Sequence, residues 1–203
     1  MSKLPIQSGV TTIGSWITLG HPAIAEIFAS AGFDWLVIDL EHSSITIREA
    51  EDLIRVIQLK DVLPLVRLSS NNPEQIKRVM DAGACGIIVP MVKTLEDVRR
   101  AVAAAKYPPA GSRSFGLSRA QGYGEAFGEY LEWERGNSSV IIQIEHVDAV
   151  NVVEEMFQEE GVAGYMVGPY DLSGSIGRPG DFLHPEYLDL MEQIKTAAKK
   201  FNM

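Results

Sequence analysis

The chain has 203 residues, 46% of them hydrophobic, enough to bury one sizeable core in a single domain. Its formal net charge of -9 and scattered basic residues argue against a nucleic acid or an anionic membrane surface as partner. One cysteine, Cys85, leaves no internal disulfide, and with no signal peptide, low-complexity linker or run of about 18 apolar residues the expectation is a soluble cytoplasmic protein.

From the N-terminus, a strand over Thr12 to Leu19 leads to a helix over Pro22 to Ser30. The next apolar run, Trp35-Leu36-Val37-Ile38, ends in Asp39-Leu40-Glu41-His42. Thr46 with Glu49 reads as a capping box ahead of Leu53, Ile54 and Ile57, so a helix follows. Strand three, Leu63-Pro64-Leu65-Val66, ends in Arg67, and Asn72-Pro73 supply the cap and first-turn proline of a helix carrying Ile76, Val79 and Met80. Strand four, Gly86 to Val92, has no terminal charge; Cys85 at its entrance reads as a small buried hydrophobe. A helix over Leu95 to Ala105 comes next. Strand five, Val140-Ile141-Ile142-Gln143-Ile144, ends in Glu145 and precedes a helix over Ala149 to Glu159. A sixth strand is expected to end near Asp171, within Gly168-Pro169-Tyr170-Asp171-Leu172-Ser173, and a last helix runs from Pro185 to Lys200.

These strands are near-continuous apolar runs, the pattern of parallel strands covered on both faces. Gly32, Gly83 and Gly161 each stand between a helix and the next strand, where a left-handed helix end belongs. The repeat is that of βα units in one parallel sheet. Polar residues gather at the carboxyl ends of several strands, as in a (β/α)8 barrel; a doubly wound sheet would collect its ligand at one switch point, and no Gly-x-Gly-x-x-Gly follows the first strand. The expected fold is therefore an α/β TIM barrel with six of its eight βα units present.

A buried strand does not end in a carboxylate without a partner for the charge. Two such ends in succession, Glu145 and Asp171, suggest a hard-metal site with oxygen ligands. Each has a plainer reading as half of an ion pair. His146 falls on the opposite side of its strand from Glu145 and reads as structural, His184 as a helix-boundary residue, and His21 has an open role on the rim. The glycine-rich run Gly174 to Gly180 lacks the Gly-Lys-Ser/Thr ending of a nucleotide loop. The segment from Tyr107 to Ser139 is too long for a plain connection. Following the fourth helix, it starts on the lower face of the barrel, and it reads either as a packing or oligomer element or as a segment near ligand.

Asp39-Leu40-Glu41-His42, Arg67, Val89-Pro90-Met91-Val92, Gly111-Ser112-Arg113, Arg119-Ala120, Gln143-Ile144-Glu145 and Gly168-Pro169-Tyr170-Asp171-Leu172-Ser173 together closely resemble the HpcH/HpaI aldolase family. The resemblance runs from about Gly14 to the last helix. It implies a barrel of the phosphoenolpyruvate-binding type and a class II, divalent-metal-dependent aldolase that cleaves a 4-hydroxy-2-keto acid to pyruvate and an aldehyde. Mg²⁺ or Mn²⁺, with Co²⁺ as a further possibility, would be held by Glu145 and Asp171, leaving positions for substrate and water. Pyruvate would chelate through its carboxylate and keto oxygens, with Gln143 in support. Arg67 would face the keto oxygen, and the backbone of Gly168, Pro169 and Tyr170 would receive the carboxylate. His42 would be the base, working through a water and oriented by Asp39. Trp16 corresponds to an aromatic near the substrate mouth, with packing as its other reading. Glu41 either binds metal water or pairs with a nearby arginine.

Lys93, after strand four, carries a rival class I mechanism through a Schiff base, but no neighbour in sequence would lower its pKa and the carboxylates would have no task. An acyl-CoA lyase of the malyl- or citramalyl-CoA type is the alternative activity, against which stands the lack of a basic platform for the CoA phosphates. The family's usual hexamer implies a homo-oligomer, with Asp81, Arg113 and Arg119 at shared active-site edges. Six units rather than eight also lead to the expectation that residues 1–203 are one barrel domain, C-terminally incomplete or a truncated product.

Overall fold

The computed structural model describes residues 10–203. Six parallel strands form one sheet in the order of the chain: β1 Gly14–Ile17, β2 Trp35–Asp39, β3 Leu63–Arg67, β4 Gly86–Val89, β5 Ser139–Ile144 and β6 Val162–Val167. Because right-handed crossovers joining neighbours in unbroken order place every helix on the same side, the sheet has no switch point and the doubly wound alternative is excluded. Side chains from both end strands, Trp16 of β1 and Met166 of β6, pack on one small inner cluster with Val37, Leu65 and Ile88, so the sheet is curled. The architecture is that of an α/β barrel, to which the described residues contribute six βα units.

The helices begin where the sequence signals them. Helix α1, Pro22–Ala29, is capped by His21, whose Nδ1 accepts from the Ala23 amide at 3.2 Å; this settles the structural part His21 plays. Helix α2, Ile47–Gln58, has both halves of the Thr46–Glu49 capping box, and α3, Pro73–Asp81, is capped by Asn72 on the amides of Glu74 and Gln75. Helix α4, Leu95–Ala105, repeats the box with Thr94 and Asp97. Gly32, Gly83 and Gly161 adopt φ of 88°, 105° and 97°, the left-handed values that make glycine the residue of choice past a helix end.

Alternation along the strands separates two cores. One face turns Ile17, Leu36, Ile38, Val66, Ile87, Val89, Ile142 and Ile144 toward the helices in a single large cluster. The other faces inward, and the register aligns it in layers: Trp16 with Val37 and Leu65, then Asp39 with Arg67 and Ile88. Gln143 stands level with Met166 of β6. An inner face that is apolar at its base thus becomes polar at the carboxyl ends of the strands.

Several boundaries differ from expectation. Strand β4 stops at Val89, because Met91 takes a left-handed φ of 52° that cannot continue a strand. The expected helix over Ala149 to Glu159 is two short ones, α6 Val147–Asn151 and α7 Val153–Gln158, broken at the non-helical Val152. Strand β6 ends at Val167 rather than near Asp171. Gly168-Pro169 starts helix α8, Pro169–Ser175, since proline at the first helical position fixes a helical φ and needs no N–H partner. The last helix, α9, spans Pro185–Phe201. Among the described residues no helix is long and apolar enough to cross a membrane.

The long segment after α4 packs on the lower end of the barrel. It contains a 3-10 turn over Arg119–Gly124 and helix α5, Phe127–Asn137, built around a third cluster of Tyr107, Ala120 and Tyr130. Buried Arg113 fastens it, donating to Asp81 Oδ1 at 2.6 Å and to the Tyr130 hydroxyl at 3.2 Å while lying 4.5 Å from the Tyr107 ring. Arg119 donates to the Ala82 carbonyl and to Gln58 Oε1, both at 2.8 Å. Asp81, Ala82 and Gln58 mark the ends of α3 and α2, which lie opposite the carboxyl ends of the strands. Within one chain the segment is a packing element remote from the inner polar layer.

Candidate active site

The polar layer is centred on Arg67, the last residue of β3. Its Nε and Nη2 donate to Asp39 Oδ1 and Oδ2 at 2.9 and 2.7 Å, a two-point clamp that fixes the plane of the guanidinium. Trp16 of β1 closes one face, with the guanidinium carbon 4.7 Å from the ring centre. Burial pushes the Asp39 carboxyl up, but the Arg67 hydrogen bonds and charge, with the Glu41 and His42 amides, outweigh it and hold the group below the usual aspartate range. Arg67 answers in kind: burial alone would lower it, and the Asp39 bonds raise it above the ordinary arginine value.

The loop after β2 folds back on the same carboxylate. Asp39 Oδ1 accepts from the Glu41 amide at 3.0 Å and the His42 amide at 3.4 Å, while Ser43 Oγ donates to the Asp39 carbonyl. Asp39 therefore meets His42 through its main chain, not through the imidazole. The carboxylate near the ring belongs to Glu41, whose Oε2 lies 3.9 Å from His42 Nε2 and 3.0 Å from Arg67 Nη1. Burial pushes the Glu41 carboxyl up; the Arg67 charge opposes this, and the nearby Glu145 charge adds to it.

Glu145 follows the last residue of β5 and is only 1% exposed. It accepts from the Met91 amide at 2.6 Å and from Gln143 Nε2. The left-handed turn at Met91 aims that amide inward, a contribution that sequence reading missed because Val89-Pro90-Met91-Val92 offers no charge to draw attention. Across from Glu145 stands Gly168, where a side chain would displace the carboxylate: a Cβ there would lie 2.5 Å from Glu145 Oε2. The Gly168 amide is bonded to the Ile144 carbonyl at 3.1 Å and Pro169 has none. Of the segment expected to receive a carboxylate, the first-turn amides of Tyr170 and Asp171 are thus the donors left without a partner inside α8.

The rim is different in kind. The His42 side chain is 67% exposed. Tyr170 is 69% exposed and set edge-on to Phe182. Asp171, in the first turn of α8, is exposed, and among the described residues its carboxylate has no ion pair. His146 caps α6 through the Asp148 amide, and His184 precedes α9, so both keep the structural parts expected of them. Ser173 Oγ accepts from the Gly180 amide at 2.9 Å, which folds the glycine-rich run back on α8.

The inner layer carries oxygen atoms of the chemical kind that a hard divalent cation takes. Asp39, Glu41 and Glu145 put three carboxylates around one guanidinium, an excess of negative charge in a largely buried layer. Gln143 Oε1 is buried without a hydrogen-bond partner, an oxygen donor still free. Among the described residues no three or more His, Cys, Asp or Glu side chains converge to hold a metal, so protein carboxylates alone do not complete a coordination shell.

The family model for HpcH/HpaI aldolase/citrate lyase matches residues 12–203, and the chain belongs to that family. It is 38% identical over 185 residues to the hydroxypyruvate/pyruvate aldolase of Sagittula stellata, covering 91% of this chain and 73% of that one. It is 37% identical over 203 residues to the 4-hydroxy-2-oxo-heptane-1,7-dioate aldolase of Salmonella typhimurium, covering 97% and 77%. An HpcH/HpaI aldolase/citrate lyase family protein from Burkholderia cenocepacia superimposes with a TM-score of 0.88 at 33% identity, over 94% of this chain and 77% of that one.

Proposed function

We propose that this protein is a carbon–carbon lyase, a class II aldolase that cleaves a 4-hydroxy-2-keto acid to pyruvate and an aldehyde, and runs the addition in reverse. The observation that carries the reading is one inner face bearing both a clamped guanidinium, Arg67, and a buried carboxylate, Glu145, held by Met91 and Gln143. Glu145 and Asp171 would hold a divalent cation, Mg²⁺ or Mn²⁺, with Gln143 in support. When bound, that ion supplies Lewis-acid polarisation of the substrate carboxylate and keto oxygens.

The chain's own residues do the rest. Asp39 fixes Arg67 with two hydrogen bonds, and a guanidinium has five N–H donors in all, so others remain for the C2 oxygen of the substrate. Fixed in advance, that charge meets the negative oxygen that develops when the C3–C4 bond breaks, without reorganisation cost. His42 takes the proton of the C4 hydroxyl, directly or through a water, and the bonding pair passes to C3 and the C2 oxygen as the aldehyde leaves. The substrate carboxylate would be received by the first-turn amides of Tyr170 and Asp171, which have no partner inside α8, with the exposed Tyr170 ring beside it. An acyl-CoA substrate fits less well, because a formal net charge of -9 with scattered basic residues argues against a basic platform for the CoA phosphates.

The test is pyruvate release from a panel of 4-hydroxy-2-keto acids with Mg²⁺ or Mn²⁺ present. Chelation should abolish turnover and either ion restore it. Full activity in excess EDTA, or borohydride trapping of pyruvate on Lys93, would overturn the class II reading.

A cytoplasmic homo-oligomer, a hexamer by family resemblance, completes the proposal. Its support is the lower-face segment, where the large side chains Phe115, Leu117 and Tyr123 are 54%, 71% and 66% exposed, apolar surface that an interface would cover. Light scattering should give an assembly at working concentration; an active monomer would remove the idea.

A further inference from the structure

We infer that Met91 is a positioning residue for the Glu145 carboxylate and acts through its main chain alone, by a left-handed turn that aims one amide at the site. The inference rests on the reading of Glu145 as a ligand for the cation and deepens it. Among the described residues, Asp61, Met91, Tyr123 and Asn202 are the non-glycines with positive φ, a region that strains most side chains. Asp61 and Asn202 lie past the ends of α2 and α9, and Tyr123 lies in the lower-face 3-10 turn. Met91 is the one of them that follows the carboxyl end of a strand, β4, on the side of the barrel that carries the polar layer.

The Met91 side chain does not account for that backbone. The residue is 44% exposed and belongs to none of the three apolar clusters, so burial of the thioether does not offset the strain. The amide does: its N–H donates to Glu145 Oε1 at 2.6 Å, a short bond to a charged acceptor. A carboxylate as buried as Glu145 is fixed by the N–H groups that reach it, and among the described residues these are the Met91 amide and Gln143 Nε2. Gln143 holds it from β5 and Gly168 crowds it from beyond β6, where a Cβ would lie 2.8 Å from the Glu145 Cβ. Met91 supplies the third side, from β4. Pro90 prepares the turn, since proline suits the first central place of a turn whose second takes positive φ and ordinarily holds glycine or asparagine. With methionine in that place, the bond to Glu145 rather than the residue type holds the conformation.

The experiment is a series at position 91 in the whole chain, ordered by the ease of positive φ: Met91→Gly and Met91→Asn at one end, Met91→Val at the other. Mn²⁺ affinity, by calorimetry or electron paramagnetic resonance, should stay within about 3-fold of the parent in the first two and fall about 10-fold or more in Met91→Val, which is apolar like methionine but resists the turn. Hydrogen exchange reads the bond itself, without metal. The residue-91 amide should be protected in the parent and in Met91→Gly, and lose about 10-fold in protection in Met91→Val. Should Met91→Val not fold, Met91→Ala should show both losses in smaller measure. Parent-like affinity and protection in Met91→Val would overturn the inference. So would an equal loss in Met91→Gly, which would make the side chain the agent, or an unprotected amide in the parent. Glu145→Gln tests the underlying reading separately: unchanged Mn²⁺ affinity there would remove Glu145 as a ligand, while the exchange pattern still decides whether Met91 holds its carboxylate.

Discussion

The inner wall and the rim of the site obey different rules. On the wall, Asp39, Gln143 and Glu145 are 2%, 3% and 1% exposed, and their side chains are engaged by the Arg67 clamp, the Met91 amide or one another. On the rim, Tyr170 and the His42 side chain are 69% and 67% exposed, and Asp171 has no ion-pair partner among the described residues. A charge taken out of water must be paired where it stands, so the wall's geometry is set by folding. A solvated charge carries no such requirement, which leaves the rim side chains free to move. Preorganisation and adaptability thus divide between two layers of one site.

The largest break in that contrast should come from Asp39→Ala. It removes both hydrogen bonds of the clamp from a half-buried guanidinium that keeps only the Glu41 carboxylate beside it, and the expected cost is about 1.5–3 kcal/mol in unfolding free energy together with loss of turnover, read by denaturant titration and pyruvate release. The acid side gives an independent reading. The folded-state carboxyl of Asp39 lies below its unfolded value, so its contribution to stability is complete above the unfolded value and lost as pH falls through the folded one. Stability of the parent should therefore fall in acid below the usual aspartate range more steeply than that of Asp39→Asn; parallel curves would mean the clamp contributes nothing.

Next in size is the division of labour between layers. Arg67→Ala, on the wall, should depress aldol cleavage and oxaloacetate decarboxylation alike, each by roughly 10²–10³-fold, since both develop charge on the same oxygen. His42→Ala, on the rim, should cost aldol cleavage about 10²-fold and decarboxylation far less. Equal losses in both reactions for His42→Ala would remove it as the specific base.

The smallest change sharpens the boundary between wall and rim. Gly168→Ala puts a methyl group 2.5 Å from Glu145 Oε2, so the carboxylate must move. Mn²⁺ affinity, followed by calorimetry or electron paramagnetic resonance, should fall about 10–100-fold while the metal-free protein stays folded. Undiminished affinity would show that Glu145 has slack behind it.

Much of the molecule is legible along the chain. Local interactions set the capping boxes at Thr46–Glu49, the Asn72-Pro73 start and the glycines at 32, 83 and 161, and each of these lies where the sequence placed it. Apolar runs covered on both faces need only composition to be recognised, and the charges that end them named Asp39, Arg67 and Glu145 as candidates. Asp171 was misplaced at a strand end because an apolar run says nothing of where pairing stops, whereas Gly168-Pro169 decides it by backbone geometry.

What the sequence by itself determined is the succession of βα units, the family resemblance and the residue types of the site, all properties of neighbours within a few positions. What the tertiary structure decided is which partner each charge takes. Asp39 meets Arg67, 28 residues away, and Glu145 meets the Met91 amide, 54 residues away. It also decided that Arg113 fastens a lower-face segment to Asp81. Such pairings depend on strand register and on one left-handed residue at Met91, and the residue types alone are equally compatible with other partners. The physical reason is that a buried charge chooses its counterpart by distance after collapse, a quantity that chain order does not contain.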